Sequence, residues 1–289
     1  MTLSTQPQAA IDFGISNTDT IAHVNGEWRR WVQPYTGHPD EAQVRQILAK
    51  GDVNLDDLPW LAVTGGRHHL LPETLGSCTI ISVGELAAIA RGGQALAQPG
   101  DEDDLTARPL LVVSAGSGTA MVRVQGADVA HVTGSAVGGG TLLGLGRLLL
   151  GTVNPIEIDE LARLGHANGV DLSLADVVTE SIGTLPADAT AVNFGRLARE
   201  SFVPNRVDLA AGIVTLVGQT IALLAVNAAN AIQTDQVVVT GHMLDMPSIR
   251  RVLAAVAALY GKTFTLPDNA GYATALGALL VAGEQRHPS

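Results

Sequence analysis

Lysine is almost missing from this chain: Lys50 and Lys262 are the only two in 289 residues. Neither stands in a glycine-rich stretch, so a bound phosphate has to be held by backbone N–H groups, arginine or a metal. The formal net charge is −11, which argues against a nucleic-acid partner, because such binding rests on a Lys/Arg footprint. Aromatic residues make up 3%, leaving Ala, Val, Leu and Ile to build the core. Cys78 is the single cysteine. That excludes a disulfide or a cysteine-built zinc site within the chain, and Cys78 reads as a small buried apolar residue. The first ten residues are polar and lack the apolar stretch of a signal peptide. Walker A, G-x-G-x-x-G, G-x-S-x-G and H-E-x-x-H patterns are all absent, so P-loop, Rossmann and serine-hydrolase readings lose their main support.

What is present is glycine, 32 residues of it, and 46% apolar side chains. Small residues suit tight helix–sheet packing and backbone-lined loops. The length suits two closely joined lobes around one cleft, 1–108 and 109–289. Strands are expected at 10–14, 20–24 and 27–33, the last two joined by an Asn25-Gly26 hairpin turn. A helix with Asp40 as N-cap follows to Lys50. A strand at 60–63 ends in Thr64-Gly65-Gly66, and a strand at 79–83 feeds a helix over 85–97. The polar, acidic, proline-bounded stretch 98–109 reads as a linker. The opening pattern then recurs, with strands at 110–114, 120–124 and 129–133. Helices are expected at 141–150, 158–168, 209–231, 248–260 and 272–282, and strands at 236–239 and 263–266. The apolar run 210–232 is long enough to span a bilayer. Gln219, Thr220, Asn227 and Asn230 interrupt it and no basic cluster flanks it closely, so it reads as a buried helix, at a subunit interface or in the core.

Five segments carry chemistry. Asp12 ends the first strand and leads into Gly14, Ser16, Asn17 and Thr18. A carboxylate and hydroxyls there suit a hydrated Mg²⁺ beside phosphates, and an ordinary hairpin turn is the other reading. Gly116-Ser117-Gly118-Thr119 offers backbone and hydroxyl donors to an anion, again with a plain hairpin as the alternative. Gly138-Gly139-Gly140 runs into an apolar helix, where free N–H groups and the positive end of the helix dipole favour a bound anion. Glu85 stands at a helix start, as a functional carboxylate or as a capping charge. Gly241, after the strand at 236–239, leaves room for a flat ring such as adenosine. His68-His69 lacks a third ligand and adjacent side chains point apart, so a metal pair is disfavoured.

In this order, the pieces resemble type II pantothenate kinases of the actin/hexokinase/Hsp70-like superfamily, over nearly the whole chain. The most specific match is His131-Val132-Thr133-Gly134 through Gly138-Gly139-Gly140-Thr141 to Gly146. Val83-Gly84-Glu85-Leu86 with Gly92, Thr64-Gly65-Gly66, Asn193-Phe194-Gly195 and 272–279 fall in matching order. The resemblance implies an α/β, two-lobed, actin/hexokinase-like (ribonuclease H-like duplicated) fold whose last helix packs back on the first lobe. It implies an ATP- and Mg-dependent kinase acting on a hydroxyl of pantothenate or a related compound. Glu85 is then the general base, Asp12 places Mg²⁺ through water, and Gly14, Ser16, Ser117, Gly118 and Thr119 line the phosphates. Gly139 and Gly140 lie between nucleotide and substrate, Gly241 faces adenosine, and His131, Thr133 and Gly138 form the pantothenate end. A cytoplasmic homodimer with CoA or acyl-CoA as feedback ligand, and without a membrane or nucleic-acid partner, follows from the same resemblance.

Two departures stand out. The family's first phosphate loop carries a lysine where this chain has Asp19, so Asp19 either recruits a metal or ATP sits differently. The family's arginine at the pantothenate end is His131. Both favour an alternative, a non-catalytic ATP- or acyl-CoA-binding protein on the same scaffold. A sugar kinase or ATPase activator of the superfamily is a third reading, against which the Glu85 segment and the glycine run argue.

Overall fold

The structure is a computed structural model and describes residues 7–34, 37–97, 108–178, 185–198 and 202–286. Most of the expected linker, residues 98–107, lies outside them.

The chain opens as an antiparallel meander, β1 (Gln8–Phe13), β2 (Asn17–Val24) and β3 (Glu27–Pro34). Asn25 and Gly26 both take positive φ, 53° and 81°, as a tight turn matched to strand twist requires. Helix α1 (Glu41–Ala49) follows, its start fixed by Asp40, whose carboxylate accepts from the Gln43 N–H at 2.8 Å. Strand β4 (Trp60–Thr64) then pairs parallel to β1, and β6 (Cys78–Ser82) parallel to β4, with the short β5 (Thr74–Leu75) on its edge. The sheet order is β3-β2-β1-β4-β6-β5. Helix α2 (Glu85–Leu96) leaves this sheet.

The second sheet repeats the plan. Strands β7 (Leu110–Ala115), β8 (Thr119–Gln125) and β9 (Asp128–Ser135) form a meander. Helices α3 (Gly139–Leu150) and α4 (Pro155–Leu164) follow, then the β10 (Leu172–Ser173) and β11 (Thr190–Val192) pair with α5 (Leu174–Val177) between. The long α6 (Arg206–Ala231) leads to β12 (Val237–Thr240), which pairs parallel to β7. Helix α7 (Pro247–Leu259), β13 (Phe264–Thr265) and α8 (Ala273–Arg286) complete the chain. The order is β13-β12-β7-β8-β9.

Each sheet is covered partly by the other's helix. Apolar residues of α8, among them Ala275, Ala278 and Leu279, close over Ala10, Ile21 and Ala62 of the first sheet. Ile89 and Ala90 of α2 close over Leu110, Val112 and Val122 of the second. The two helices meet where neither has a side chain: a Cβ on Gly92 would lie 1.9 Å from the Ala273 carbonyl oxygen, and one on Gly277 1.8 Å from that of Ala88. The opposite face of the first sheet, with Ile11, Phe13 and Val63, packs on Val44, Ile47 and Leu48 of α1.

Helix α6 meets the length and composition of a membrane span, yet two-thirds of its most apolar window, 67%, is buried inside the protein. Its Ile213, Val217 and Ile221 pack among Leu111, Val239 and Ile249. The burial expected of it is therefore supplied within its own subunit. Helix α4 begins three residues before the expected Ile158, because Asn154 caps it and Pro155 supplies its first turn. It stops at Leu164, before the expected Asn168, because Gly165 lies against α6: a Cβ there would come 2.1 Å from the Val207 carbonyl oxygen.

The α2–α8 crossing generates a stability prediction. Replacing Gly277 by Ala forces the helices apart and should destabilise the protein by about 1–3 kcal/mol or more. Thermal melting checks this, with Gly283→Ala, whose Cβ would meet nothing within 4 Å, expected to melt no lower than the parent, since alanine is the better helix former.

Candidate active site

Parallel strands β1 and β4 end side by side, which places Asp12 in register with Thr64; across the antiparallel pair it faces Asp19. Directly opposed residues share a sheet face, so Asp12, Asp19 and Thr64 lie on the face whose inner part α8 covers. Glu85 is the first residue of α2 and is exposed, and it comes close enough to act on Asp12 through space. Burial first, then the charges of Asp19 and Glu85, push the Asp12 carboxyl up to about 8, with His242 opposing them.

His242 was not singled out from the sequence. It follows β12, 223 residues from Asp19, yet its Nε2 lies 2.8 Å from Asp19 Oδ1. Its Nδ1 lies 2.6 Å from Asp245 Oδ2. Burial works against the imidazolium, but the hydrogen bonds and charges of Asp19 and Asp245 outweigh it and raise its pKa to about 10. Both ring nitrogens therefore donate. The sequence signal that points to it is indirect: an acidic residue where a cation is expected needs a counter-charge from elsewhere.

The loops after β1 and β7 face each other across the lobes, where Ser16 Oγ and Ser117 Oγ are hydrogen-bonded at 2.7 Å. The turn at Gly14 is tight, since a Cβ there would sit 2.8 Å from the Asn17 carbonyl oxygen. Thr119 Oγ1 donates to the Val137 carbonyl at 2.9 Å, tying the second loop to the glycine run. At that run the structure corrects an expectation. The Gly139 and Gly140 N–H groups are not free for an anion; they donate to the carbonyls of Gly116 and Ser117 at 2.8 and 2.9 Å. The glycines are needed for backbone contact: a Cβ on Gly138 would lie 2.7 Å from the Ser117 carbonyl oxygen, and one on Gly118 3.1 Å from that of Ser135.

Gly241 has φ +107°, and a Cβ there would lie 2.1 Å from the Ala115 carbonyl oxygen, so it is glycine for both conformation and space. Its N–H donates to Ala270. Thr133 stands in register with Met121 of β8, and His131 with Val122 beyond a bulge at Val132. His131 thus shares a face with Val122, which packs on α2, the helix that starts at Glu85. His68 Nδ1 bonds the Gly65 carbonyl oxygen at 2.5 Å, bracing the Thr64-Gly65-Gly66 loop.

Among the described residues no group of three or more His, Cys, Asp or Glu side chains is disposed as a metal cage. A site for Mg²⁺ needs one or two carboxylates, with waters and substrate phosphates as the remaining ligands. The fit is supported by a deep carboxyl group pressed by two other carboxylates, and by Thr64 Oγ1, buried beside it without a hydrogen-bond partner.

Solved structures place this architecture. The activator of the 2-hydroxyisocaproyl-CoA dehydratase from Clostridium difficile with bound ADPNP superposes with a TM-score of 0.63 at 16% identity, over 97% of this chain and 95% of that one. Component A of the Acidaminococcus fermentans (R)-2-hydroxyglutaryl-CoA dehydratase gives 0.61 at 19% identity, over 97% and 98%. The fold is that of the actin/hexokinase/Hsp70-like ATPases. Within that class, the family model described as Fumble matches residues 79–281, more than half of the chain, and the chain belongs to this family, that of the type II pantothenate kinases. It is similar to the type II pantothenate kinase of Oceanobacillus iheyensis, 29% identical over 75% of this chain and 80% of the relative. That of Staphylococcus epidermidis is 28% identical over 78% and 85%.

The Asp12 environment gives a pH prediction. Its carboxyl binds a proton more tightly in the fold than at its ordinary value of 3.8, so its contribution favours folding at low pH and is lost as pH rises toward about 8. Asp12→Asn carries no such loss. In metal-free buffer its stability gain over the parent should grow between about pH 4 and pH 8 and then level off, as denaturant melts at several pH values will show.

Proposed function

We propose that this chain is an ATP-dependent kinase that phosphorylates a hydroxyl of pantothenate or a related compound. The observation that carries this reading is that Glu85 acts on Asp12 while the Ser16 loop that follows Asp12 bonds the Ser117 loop, in a chain whose relatives are named type II pantothenate kinase. The proposed lobes are 1–108 and 109–289.

In this reading Glu85 takes the proton from the attacking primary hydroxyl. Its place at the start of α2 leaves it exposed to substrate, and a positioned base typically contributes about 10²–10⁴ in rate. Asp12, with Thr64 Oγ1 beside it, would hold a hydrated Mg²⁺. The metal, when bound, neutralises charge on the transferring phosphates. Ser16, Ser117 and Gly118 border the phosphates, with Thr119 holding the second loop to the glycine run. Gly139 and Gly140 contribute shape, since their N–H groups are engaged within the protein. Gly241 backs the adenosine, and His131, Thr133 and Gly138 form the acceptor end. Asp19 is better suited to pairing His242 than to binding a metal. A homodimer in the cytoplasm, with CoA or acyl-CoA as feedback ligand, completes the proposal.

The test is ADP release by the purified protein with Mg-ATP, with and without pantothenate, beside Glu85→Gln. The expected result is pantothenate-dependent release that falls at least about a hundredfold in the variant. ATP binding by calorimetry without pantothenate-dependent release would replace this reading with that of a nucleotide-binding protein.

A further inference from the structure

The cleft-facing contact between the lobes is not a loop touching a loop but a charged bond with fixed ends. His242 stands in the one-turn 3₁₀ segment His242–Asp245 after β12, on the second lobe. Asp19 belongs to β2, on the first. The histidine ring is held before it reaches across. Asp245 accepts a hydrogen bond from its Nδ1–H at 2.6 Å, and Tyr272 stands edge-on with ring centroids 5.3 Å apart. Gly271 lies flat against it, where a Cβ would come within 2.3 Å of ring atoms. Asp19 is equally confined, its side chain 11% exposed beside 24% for His242. By contrast the bond from Ser16 to Ser117, also between the two halves, joins two exposed hydroxyls.

Asp19 is the residue opposite Asp12. Whatever fixes Asp19 to the second lobe therefore fixes the second lobe relative to the carboxylate proposed to place the metal. The positive charge of His242 also acts on Asp12, opposing the two carboxylates there. Phosphoryl transfer depends chiefly on position and charge, and a displacement of about 1 Å can cost about a hundredfold in rate.

We infer that His242 is a positioning residue for phosphoryl transfer, which by bonding Asp19 across the cleft sets the alignment of the two lobes around the nucleotide. The inference rests on the kinase reading for its rate effects, and on geometry alone for its effect on lobe alignment and nucleotide affinity.

A double-mutant cycle tests it, using Asp19→Asn, His242→Ala and the pair, with His242→Gln as the conservative variant that keeps a donor. Three readouts are needed: ATP affinity by calorimetry, kcat and KM separately, and the radius of gyration without nucleotide by X-ray scattering. His242→Ala should lower kcat by about ten- to a hundredfold, weaken ATP binding and enlarge the particle. The double variant should be no worse than His242→Ala, and His242→Gln should recover part of kcat. Folded single variants whose effects simply add, or a lowered melting temperature with kcat, KM and ATP affinity unchanged, would overturn the inference. If the parent binds ATP but transfers no phosphate, the kinase reading fails while the cycle in ATP affinity still decides the tether.

Discussion

Everything at the cleft depends on how closely two helices cross. Helices α2 and α8 can touch through their backbones only because Gly92 and Gly277 carry no Cβ at the crossing. Each then reaches the sheet of the other half, and the two cores are closed by exchanged parts. The crossing also sets where α2 begins, and so where Glu85 projects relative to Asp12. A side chain there would tilt α2 and carry the carboxylate away from strands that had not moved.

Electrostatics within the cleft is a matter of shortage. Asp12, Asp19 and Glu85 approach one another in a chain with two lysines, and the countercharge comes from a histidine of the other half. Asp19 and Asp245 both bond that ring, so its positive charge is already shared before any phosphate arrives. Buried charges are tolerated when paired and hydrogen-bonded, and the Asp19–His242–Asp245 chain meets both conditions. Asp12 does not, and burial with the charges of Asp19 and Glu85 raises its pKa to about 8.

Much of this was legible in the sequence where the determinant is local. Asn25-Gly26 dictates a hairpin through positive φ, Asp40 caps α1, and short continuous apolar runs mark the buried parallel strands. The order of glycine-bearing turns was enough to point to the fold. What was not legible involved distant partners. The glycine run 138–140 suggested open N–H groups, but those of Gly139 and Gly140 are consumed by the carbonyls of residues 116 and 117, a pairing that local sequence does not encode. His242 was not singled out, because its partner Asp19 is 223 residues away. The long apolar run of α6 read as a buried helix, and strands and helices of the same chain bury two-thirds of its most apolar window, 67%.

The exchange of helices also bears on how the chain matures. Synthesis proceeds from the first residue, and domains generally fold as they emerge. The face of the first sheet with Ala10, Ile21, Trp60 and Ala62 is closed by residues of α8, which are made only after the whole second sheet. Until residues 273–286 are made, the first sheet therefore exposes an apolar face that its own half covers only in part, through Val83 and Ala88.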